Sequence, residues 1–245
     1  MGAGPLPAGQ QHPALSIFGI VCALDWEADC LPSGHSAVRA ITSGMGACLA
    51  AAAARQLIAS GARALVSFGS AGGLDPARRS GDILLPALVR TQAGQEIGCD
   101  VNFREALAAR LAQRRIAVCA DALIQVDAAL GTPAAKAGLF DRQGGQNAAA
   151  ADMESWSVAE VAQRAGLPFV AVRAVLDEAG QGLPADLLSA VDQRGRPISS
   201  RFALAVLGRP ALIADLCRLA AARRRAAASL RVAGQAIAGL LADPA

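Results

Sequence analysis

Two carboxylates that each follow a run of apolar residues have the type and placement for acid–base chemistry. The run 167–177, LPFVAVRAVLD, ends at Asp177, and the run 147–151 leads through Asp152 and Met153 to Glu154. Open α/β sheets hold ligands beyond the carboxyl ends of their strands, so two neighbouring strands here could present Glu154 and Asp177 to one crevice. The structural alternative is that Glu154 favours a helix N-terminus and Asp177 begins a turn.

A third apolar run, 15–24, is followed by Glu27, and two glycine clusters follow other predicted strands. The clusters are 43–46, which contains Gly44, and 69–74, GSAGGL. Glycine after a strand lets a ligand approach backbone N–H groups, which can cradle an anion or hydroxyls. The first cluster lacks the third glycine and the downstream acid of a dinucleotide fingerprint, and no segment has the GKS or GKT of a phosphate-binding loop. These patterns argue against both of those nucleotide-binding modes.

The elements that must position these residues alternate between strands and helices. Alternation is typical of a mainly parallel sheet covered on both faces, so we predict an α/β fold: a three-layer α/β/α sandwich with a mainly parallel mixed central sheet and a C-terminal helical extension. The predicted strands are 15–24, 37–42, 62–68, 81–90, 116–126, 147–151 and 167–177, and the predicted helices are 47–61, 102–115, 133–142 and 155–166.

The length of 245 residues suits one large domain with a full core. We predict a disordered leader at 1–14, a catalytic domain at 15–198 and a basic amphipathic helical extension at 199–245 packed on the same domain. The leader lacks the pattern of a secretory signal, and the six cysteines contain no CxxC pair, which fits a reducing compartment. The expected location is the cytoplasm.

Charge and histidine content exclude several functions. The net charge is +3, and Lys136 is the one lysine among 23 basic residues, so no lysine-rich tract for nucleic acid exists and nucleic acid is not an expected partner. The two histidines, His12 and His35, make a zinc site or a histidine-based triad difficult to build. We therefore expect no metal and no organic cofactor, with chemistry that rests on carboxylates or on binding alone.

Four segments in order carry a family resemblance: CALDWEADC, TSGMGACLAAA, SFGSAGGLDPARRSGDILLP and ADMESWSVAEVAQRAGLPFVAVRAVLD. Together they resemble the nucleoside phosphorylase and nucleosidase superfamily over residues 15–180, and most closely its branch that cleaves methylthioadenosine and adenosylhomocysteine. After Asp177 the sequence is more similar to the hopanoid-associated members, which are thought to remove adenine from adenosylhopane. The resemblance also implies a homo-oligomer.

The resemblance implies roles for individual residues. Asp177 matches the acid that protonates N7 of adenine, and Glu27 matches the carboxylate that activates the attacking water. Met153 and Glu154, with Arg173, match the group that holds the ribose hydroxyls. The remaining candidates for substrate binding are Ser70, Ala71 and Gly72 on the nucleophile and sugar side, Gly44 in the first glycine cluster, and Leu130 near the base.

The sequence departs from that branch in two places. Leu176 stands where serine usually accompanies the acid, which removes a hydrogen bond to the carboxylate or the base. Ala129 and Leu130 stand where an aromatic residue often stacks on adenine, so base binding is expected to use apolar contact and backbone hydrogen bonds. We also expect Arg173, which lies in an apolar run, to pair with a carboxylate such as Glu154.

The nucleophile is open to two interpretations. Phosphorylases need fixed positive charge at the anion site, and Ser67 falls where relatives carry an arginine, which favours water. Arg78, Arg79 or an arginine of a partner subunit could still bind phosphate as a co-substrate. The sequence therefore favours hydrolysis and leaves phosphorolysis open.

The segment from 199 to the end has seven arginines against two aspartates, with leucines at helical spacing. Such a helix can lie at a membrane interface or cover an apolar substrate channel, and the alternative is an ordinary packed helix with a solvated basic face. With the resemblance, we predict cleavage of the N-glycosidic bond of a 5′-modified adenosine, adenosylhopane above others. The alternatives are a phosphate-dependent purine nucleoside phosphorylase, a methylthioadenosine/adenosylhomocysteine nucleosidase, and a nucleoside-binding protein without catalysis.

Overall fold

The buried run predicted at 62–68 forms a strand of ten residues, β3 (Ala64–Gly73), that joins the two parts of the sheet. Its first part pairs in parallel with β1 (Phe18–Cys22) and β10 (Phe169–Val175), and its last two residues pair antiparallel with β9 (Ala148–Asp152). The computed structural model describes residues 17–145, 147–183, 191–196, 198 and 212–242. Within these residues all strands belong to one mixed sheet.

The other strands and the helices lie around β3. The remaining strands are β2 (Val38–Thr42), β4 (Ile83–Leu84), β5 (Leu88–Thr91), β6 (Glu96–Gly98), β7 (Val118–Cys119) and β8 (Ala122–Gln125). The described helices are α1 (Asp25–Ala28), α2 (Ala47–Ala59), α3 (Val101–Gln113), α4 (Pro133–Arg142), α5 (Ser155–Arg164) and α6 (Leu212–Ala242).

Helices cover the sheet on both sides. Buried residues of α2 and α5, among them Leu57 and Val158, share one core cluster with the sheet. Buried residues of α3 and α6, among them Leu107 and Leu230, share a second core cluster with the sheet. Alanine predominates on the inward faces of α2 and α6, which allows helices to pack closely on the strands. The predicted three-layer α/β/α sandwich with a C-terminal helix is confirmed.

Two predicted strands are each divided in the structure. The run 81–90 forms β4 and β5, because Pro86 lies between them and has no N–H to donate to a ladder. The run 116–126 divides into β7 and β8, which pair in parallel with β4 and β5 respectively. The short edge strand β6 was not predicted.

The expectation that 147–151 and 167–177 form neighbouring strands is wrong. The strand β3 lies between β9 and β10 and pairs with both. It can do so because it is long enough to pair with β10 along residues 65–71 and then with β9 at Gly72 and Gly73. Glu154 and Asp177 therefore reach the same cavity across an intervening strand.

The predicted leader at 1–14 lies outside the described residues, as do 199–211 of the extension, so the domain boundaries stay predictions. In the described part of the extension, α6 packs an apolar face on the domain and leaves Arg223, Arg224 and Arg225 exposed.

Among the described helices, none is both long enough and apolar enough to cross a membrane.

Candidate active site

A cavity of about 290 Å³ collects most of the predicted site residues. Its volume is close to the lower end of the range for small-molecule pockets. The predicted residues that line it are Glu27, Ser70, Ala71, Gly72, Leu130, Met153, Glu154 and Asp177. Two others, Gly44 and Arg173, are not part of the lining.

Glu27 lies in the short helix α1 directly after β1, and it is 2% exposed. One carboxylate oxygen, Oε2, accepts hydrogen bonds from the backbone N–H groups of Ala23 and Leu24, both at 3.1 Å. The other oxygen, Oε1, accepts from the N–H and the hydroxyl of Ser70, at 2.8 and 2.7 Å. These bonds fix the carboxylate, while burial raises its pKa more than Arg173 and Ser70 lower it.

Arg173 lies behind the cavity in a network of buried polar groups. Its Nε donates to Asp152 Oδ2 at 2.7 Å, and its Nη2 donates to the hydroxyls of Ser67 and Ser155 at 2.8 and 3.1 Å. Glu154 is farther, at 3.8 Å from Nη2. The expected pairing with a carboxylate is therefore found chiefly with Asp152. At 1% exposure Arg173 supports the site from behind, and it does not line the cavity.

Glu154 comes immediately before α5, but its side chain makes no capping hydrogen bond to that helix. Its Oε1 instead accepts a hydrogen bond, at 2.8 Å, from the N–H of Gly46, and Gly46 is the N-cap residue of α2. Burial and the neighbouring Asp152 raise the pKa of Glu154 to about 7, although Arg173 opposes this. A carboxyl that titrates near neutrality on a cavity wall is a candidate functional group.

Asp177 follows β10 and is 5% exposed. Its carboxylate forms an ion pair with Lys136 of α4, which is itself 1% exposed. Burial raises the pKa of Asp177, and the ammonium of Lys136 opposes that shift without cancelling it. Asp177 is thus shielded from solvent and lies next to a cation.

Gly69 explains how the side chains of Glu27 and Arg173 fit next to each other at the cavity. The β3–β10 register places Gly69 beside Arg173. A Cβ at Gly69 would lie 2.5 Å from both Arg173 Nη1 and Glu27 Oε2, so only glycine leaves room for these two groups.

We expect the added Cβ of Gly69→Ala to displace the side chain of Glu27 or Arg173. Either movement breaks buried hydrogen bonds. Overpacking of this kind costs about 1–3 kcal/mol in the free energy of unfolding. Urea unfolding measures it, with Gly98→Ala as the control, because a Cβ at Gly98 meets no atom within 4 Å. Equal stability of the two variants would contradict the packing argument.

The lining residues that sequence reasoning missed include four with charged or aromatic side chains: Trp26, Lys136, Asp152 and Arg223. Arg223 of α6 lies over the Trp26 ring, 5.3 Å from its centroid. A signal existed for Lys136, because it is the single lysine in the chain. No local pattern marks Arg223, whose approach to the cavity depends on how α6 packs.

In the described part of the chain, no group of three or more His, Cys, Asp or Glu side chains is placed to hold a metal ion. The six cysteines are free thiols, four of them buried. The chemistry available at the cavity is that of carboxylates, a lysine ammonium and an arginine.

The sequence from 34 to 208 matches the family described as the phosphorylase superfamily. No curated protein sequence matches the chain.

Solved structures with a similar fold include the 5′-methylthioadenosine/S-adenosylhomocysteine nucleosidase of Neisseria meningitidis in complex with methylthio-immucillin-A. It has 17% identity and a TM-score of 0.69, over 91% of this chain and 99% of that one. The native futalosine hydrolase of Helicobacter pylori has 16% identity and a TM-score of 0.65, over 89% and 97%. The nucleosidase of Colwellia psychrerythraea in complex with adenine has 22% identity and a TM-score of 0.61, over 80% and 96%. At these identities the likeness shows the fold.

Proposed function

Because the chain belongs to the phosphorylase superfamily, we propose that it cleaves the N-glycosidic bond of an adenine nucleoside and releases adenine. The observation that carries this proposal is that four buried carboxylates line one cavity; Asp152 is held by Arg173, which leaves Glu27, Glu154 and Asp177 for the reaction. The solved structures of similar fold include nucleosidases in complex with a nucleoside analogue and with adenine, which supports the choice of ligand class.

The three carboxylates match the three demands of this reaction. The bond breaks through a cationic, oxocarbenium-like sugar, so an enzyme must protonate the leaving base, stabilise the sugar and deliver a nucleophile. We assign protonation of N7 to Asp177, activation of water to Glu27 and binding of the ribose hydroxyls to Glu154. The apolar side chains of Val126, Ala129 and Leu130 line the same cavity and supply contact for the base.

We propose water as the nucleophile. Ser67 is fully buried and bonded to Arg173 and Ser155, so it adds no charge to the cavity. Arg78 pairs with Asp75, and Arg79 lies 3.6 Å from Glu178, and neither arginine is in the lining. Arg223, which does line the cavity, lies over the Trp26 ring, 5.3 Å from its centroid. The uncharged Ser67 and the paired Arg78 and Arg79 favour hydrolysis over phosphorolysis.

For the substrate we propose a 5′-modified adenosine with an apolar 5′ group, and adenosylhopane as the specific compound. Leu24, Trp26, Met45 and Leu219 add apolar surface to the lining. A substituent as large as a hopane exceeds the cavity and would leave it beside α6, whose Leu219 and exposed Arg223 line the cavity. That arrangement supports a peripheral contact of α6 with the membrane that holds the lipid.

The decisive experiment compares adenine release from adenosylhopane and from methylthioadenosine, each with and without phosphate. Release from adenosylhopane without phosphate, with a free sugar as co-product, supports the proposed hydrolase. Strict phosphate dependence with a sugar 1-phosphate would make the enzyme a phosphorylase. Preference for methylthioadenosine would replace the lipid substrate, and adenine binding without turnover of either compound would favour a binding protein.

The assigned roles predict a bell-shaped dependence of kcat/KM on pH. Asp177 must carry a proton, so activity falls as pH rises through its raised pKa. Glu154 must be ionised to accept ribose hydroxyls, so activity falls as pH drops through about 7, its raised pKa. Kinetics over a series of buffers measure both limbs. In Glu154→Gln we expect the acid limb to move to lower pH, and an unchanged acid limb would assign it to another group such as Glu27.

A further inference from the structure

Lys136 is the one lysine of the chain, and it is buried at 1% exposure against Asp177. Its Nζ donates to the Asp177 carboxylate, to the Asp177 carbonyl at 3.2 Å and to the Glu178 carbonyl at 2.9 Å. An ammonium has three N–H donors, and all three have acceptors here. A planar guanidinium donates in a different geometry, so arginine, which supplies all other cationic side chains except histidine in this sequence, does not replace it.

The placement of this pair is not explained by packing alone. Burying an ion pair costs desolvation that a well-packed apolar pair avoids, yet Lys136 and Asp177 both line the cavity. The neighbouring Leu176 has no polar group to orient the carboxylate. Among the described residues, Lys136 is the only one whose side chain makes a hydrogen bond to the Asp177 carboxylate.

We propose that Lys136 is the positioning residue for protonation of the leaving base: it holds Asp177 by Oδ2, so that Oδ1 delivers the proton. This inference rests on the proposed function. The Oδ1–H proton passes to the base nitrogen, and the electron pair of the C–N bond goes to the base. The carboxylate that remains is stabilised by the ammonium of Lys136 until it regains a proton from solvent.

Other charged groups near Asp177 have partners of their own. On α6, Arg218 forms an ion pair with Asp215, and both lie in a small pocket that also touches Asp177. The Glu178 carboxylate lies 3.6 Å from Arg79. Of the other charged groups that line the cavity, Glu27, Asp152 and Glu154 are carboxyl groups, and Arg223 lies over the Trp26 ring. Lys136 is thus the cation that acts on Asp177.

The test compares Lys136→Met with the parent enzyme on two substrates. One is the adenine nucleoside, and the other is 4-nitrophenyl riboside, whose leaving group departs as a stable anion and needs no proton. With the nucleoside, we expect kcat to fall by about a hundredfold, since one preorganised donor to a developing charge is lost. The alkaline limb of the plot of kcat/KM against pH should move to higher pH by about one to three units, since an opposite charge next to Asp177 is removed. Turnover of the nitrophenyl riboside should stay at the parent level.

Two further variants separate charge from geometry. Lys136→Gln keeps a donor without the charge, so it should show the shift of the alkaline limb with a smaller loss of kcat. Lys136→Arg keeps the charge but not the donor geometry, so it should lose kcat with little shift. An unchanged limb in Lys136→Met, or an equal loss on both substrates, overturns the proposal and assigns Lys136 a structural role.

A measurement on the parent protein does not depend on how the variants fold. Because the chain has one lysine, labelling lysine with ¹³C at Cε gives a single resonance for that side chain. Saturating adenine should shift it, because Lys136 contacts the carboxylate that faces the base in the proposed site. No shift would overturn the proposal. Failure of the parent to release adenine at all would instead overturn the proposed function, so the two failures are distinguishable.

Discussion

Replacing Asp177 by asparagine is expected to reduce kcat for adenine release by a hundred- to ten-thousand-fold, about the contribution that general acid catalysis makes. The amide has nearly the same size, and its oxygen can still accept from Lys136, so the fold and substrate binding should remain, although the loss of the negative charge beside the buried Lys136 lowers the free energy of unfolding. It has no acidic proton to transfer to the base. Steady-state kinetics with the nucleoside, together with circular dichroism, measure both parts of this expectation.

Asp100→Asn is the matched control for Asp177→Asn. Asp100 lies at the start of α3, where its side chain accepts from the N–H of Phe103, and asparagine caps helices about as well. It lies outside the cavity lining, so its kinetics should match the parent. If Asp177→Asn kept more than about a tenth of the parent rate, the acid would have to be another group.

Arg173→Met is expected to produce the largest loss of stability. The substitution leaves Asp152, 5% exposed, without its cation, and it leaves the hydroxyls of Ser67 and Ser155 without the Nη2 donor. Removing one partner of a buried ion pair costs about 3–5 kcal/mol, because the other charge stays buried and uncompensated. Urea unfolding of parent and variant should show a lower midpoint for the variant.

Two comparisons test the cause of that loss. Arg164→Met breaks an exposed pair with Glu160, in which the side chains are 75% and 42% exposed, and it should cost no more than about 1 kcal/mol. Adding Asp152→Asn to Arg173→Met removes the uncompensated charge and should restore part of the stability. If the double variant is no more stable than Arg173→Met alone, lost packing rather than charge explains the effect.

The fold class followed from patterns that are local in sequence. Apolar runs alternate with helical segments, and alternation of this kind favours a parallel sheet between two helical layers, as observed. Helix α4 begins at Pro133 and ends at Arg142, as predicted, because its first-turn proline and its Thr132 N-cap are local signals. The division of 81–90 and of 116–126 into pairs of short strands was missed. Pro86 was a local signal for the first division, whereas the second depends on pairing with β4 and β5.

The candidate site divides in the same way. Local sequence indicated which carboxylates follow the strands, and Glu27, Glu154 and Asp177 do line one cavity. Three contacts depend instead on how distant elements pack: Asp152 rather than Glu154 is the close partner of Arg173, Gly69 makes room for Arg173 and Glu27, and Lys136 reaches Asp177. The physical reason is that a strand end is a property of local sequence, whereas a buried contact between residues 41 positions apart depends on how separate elements pack.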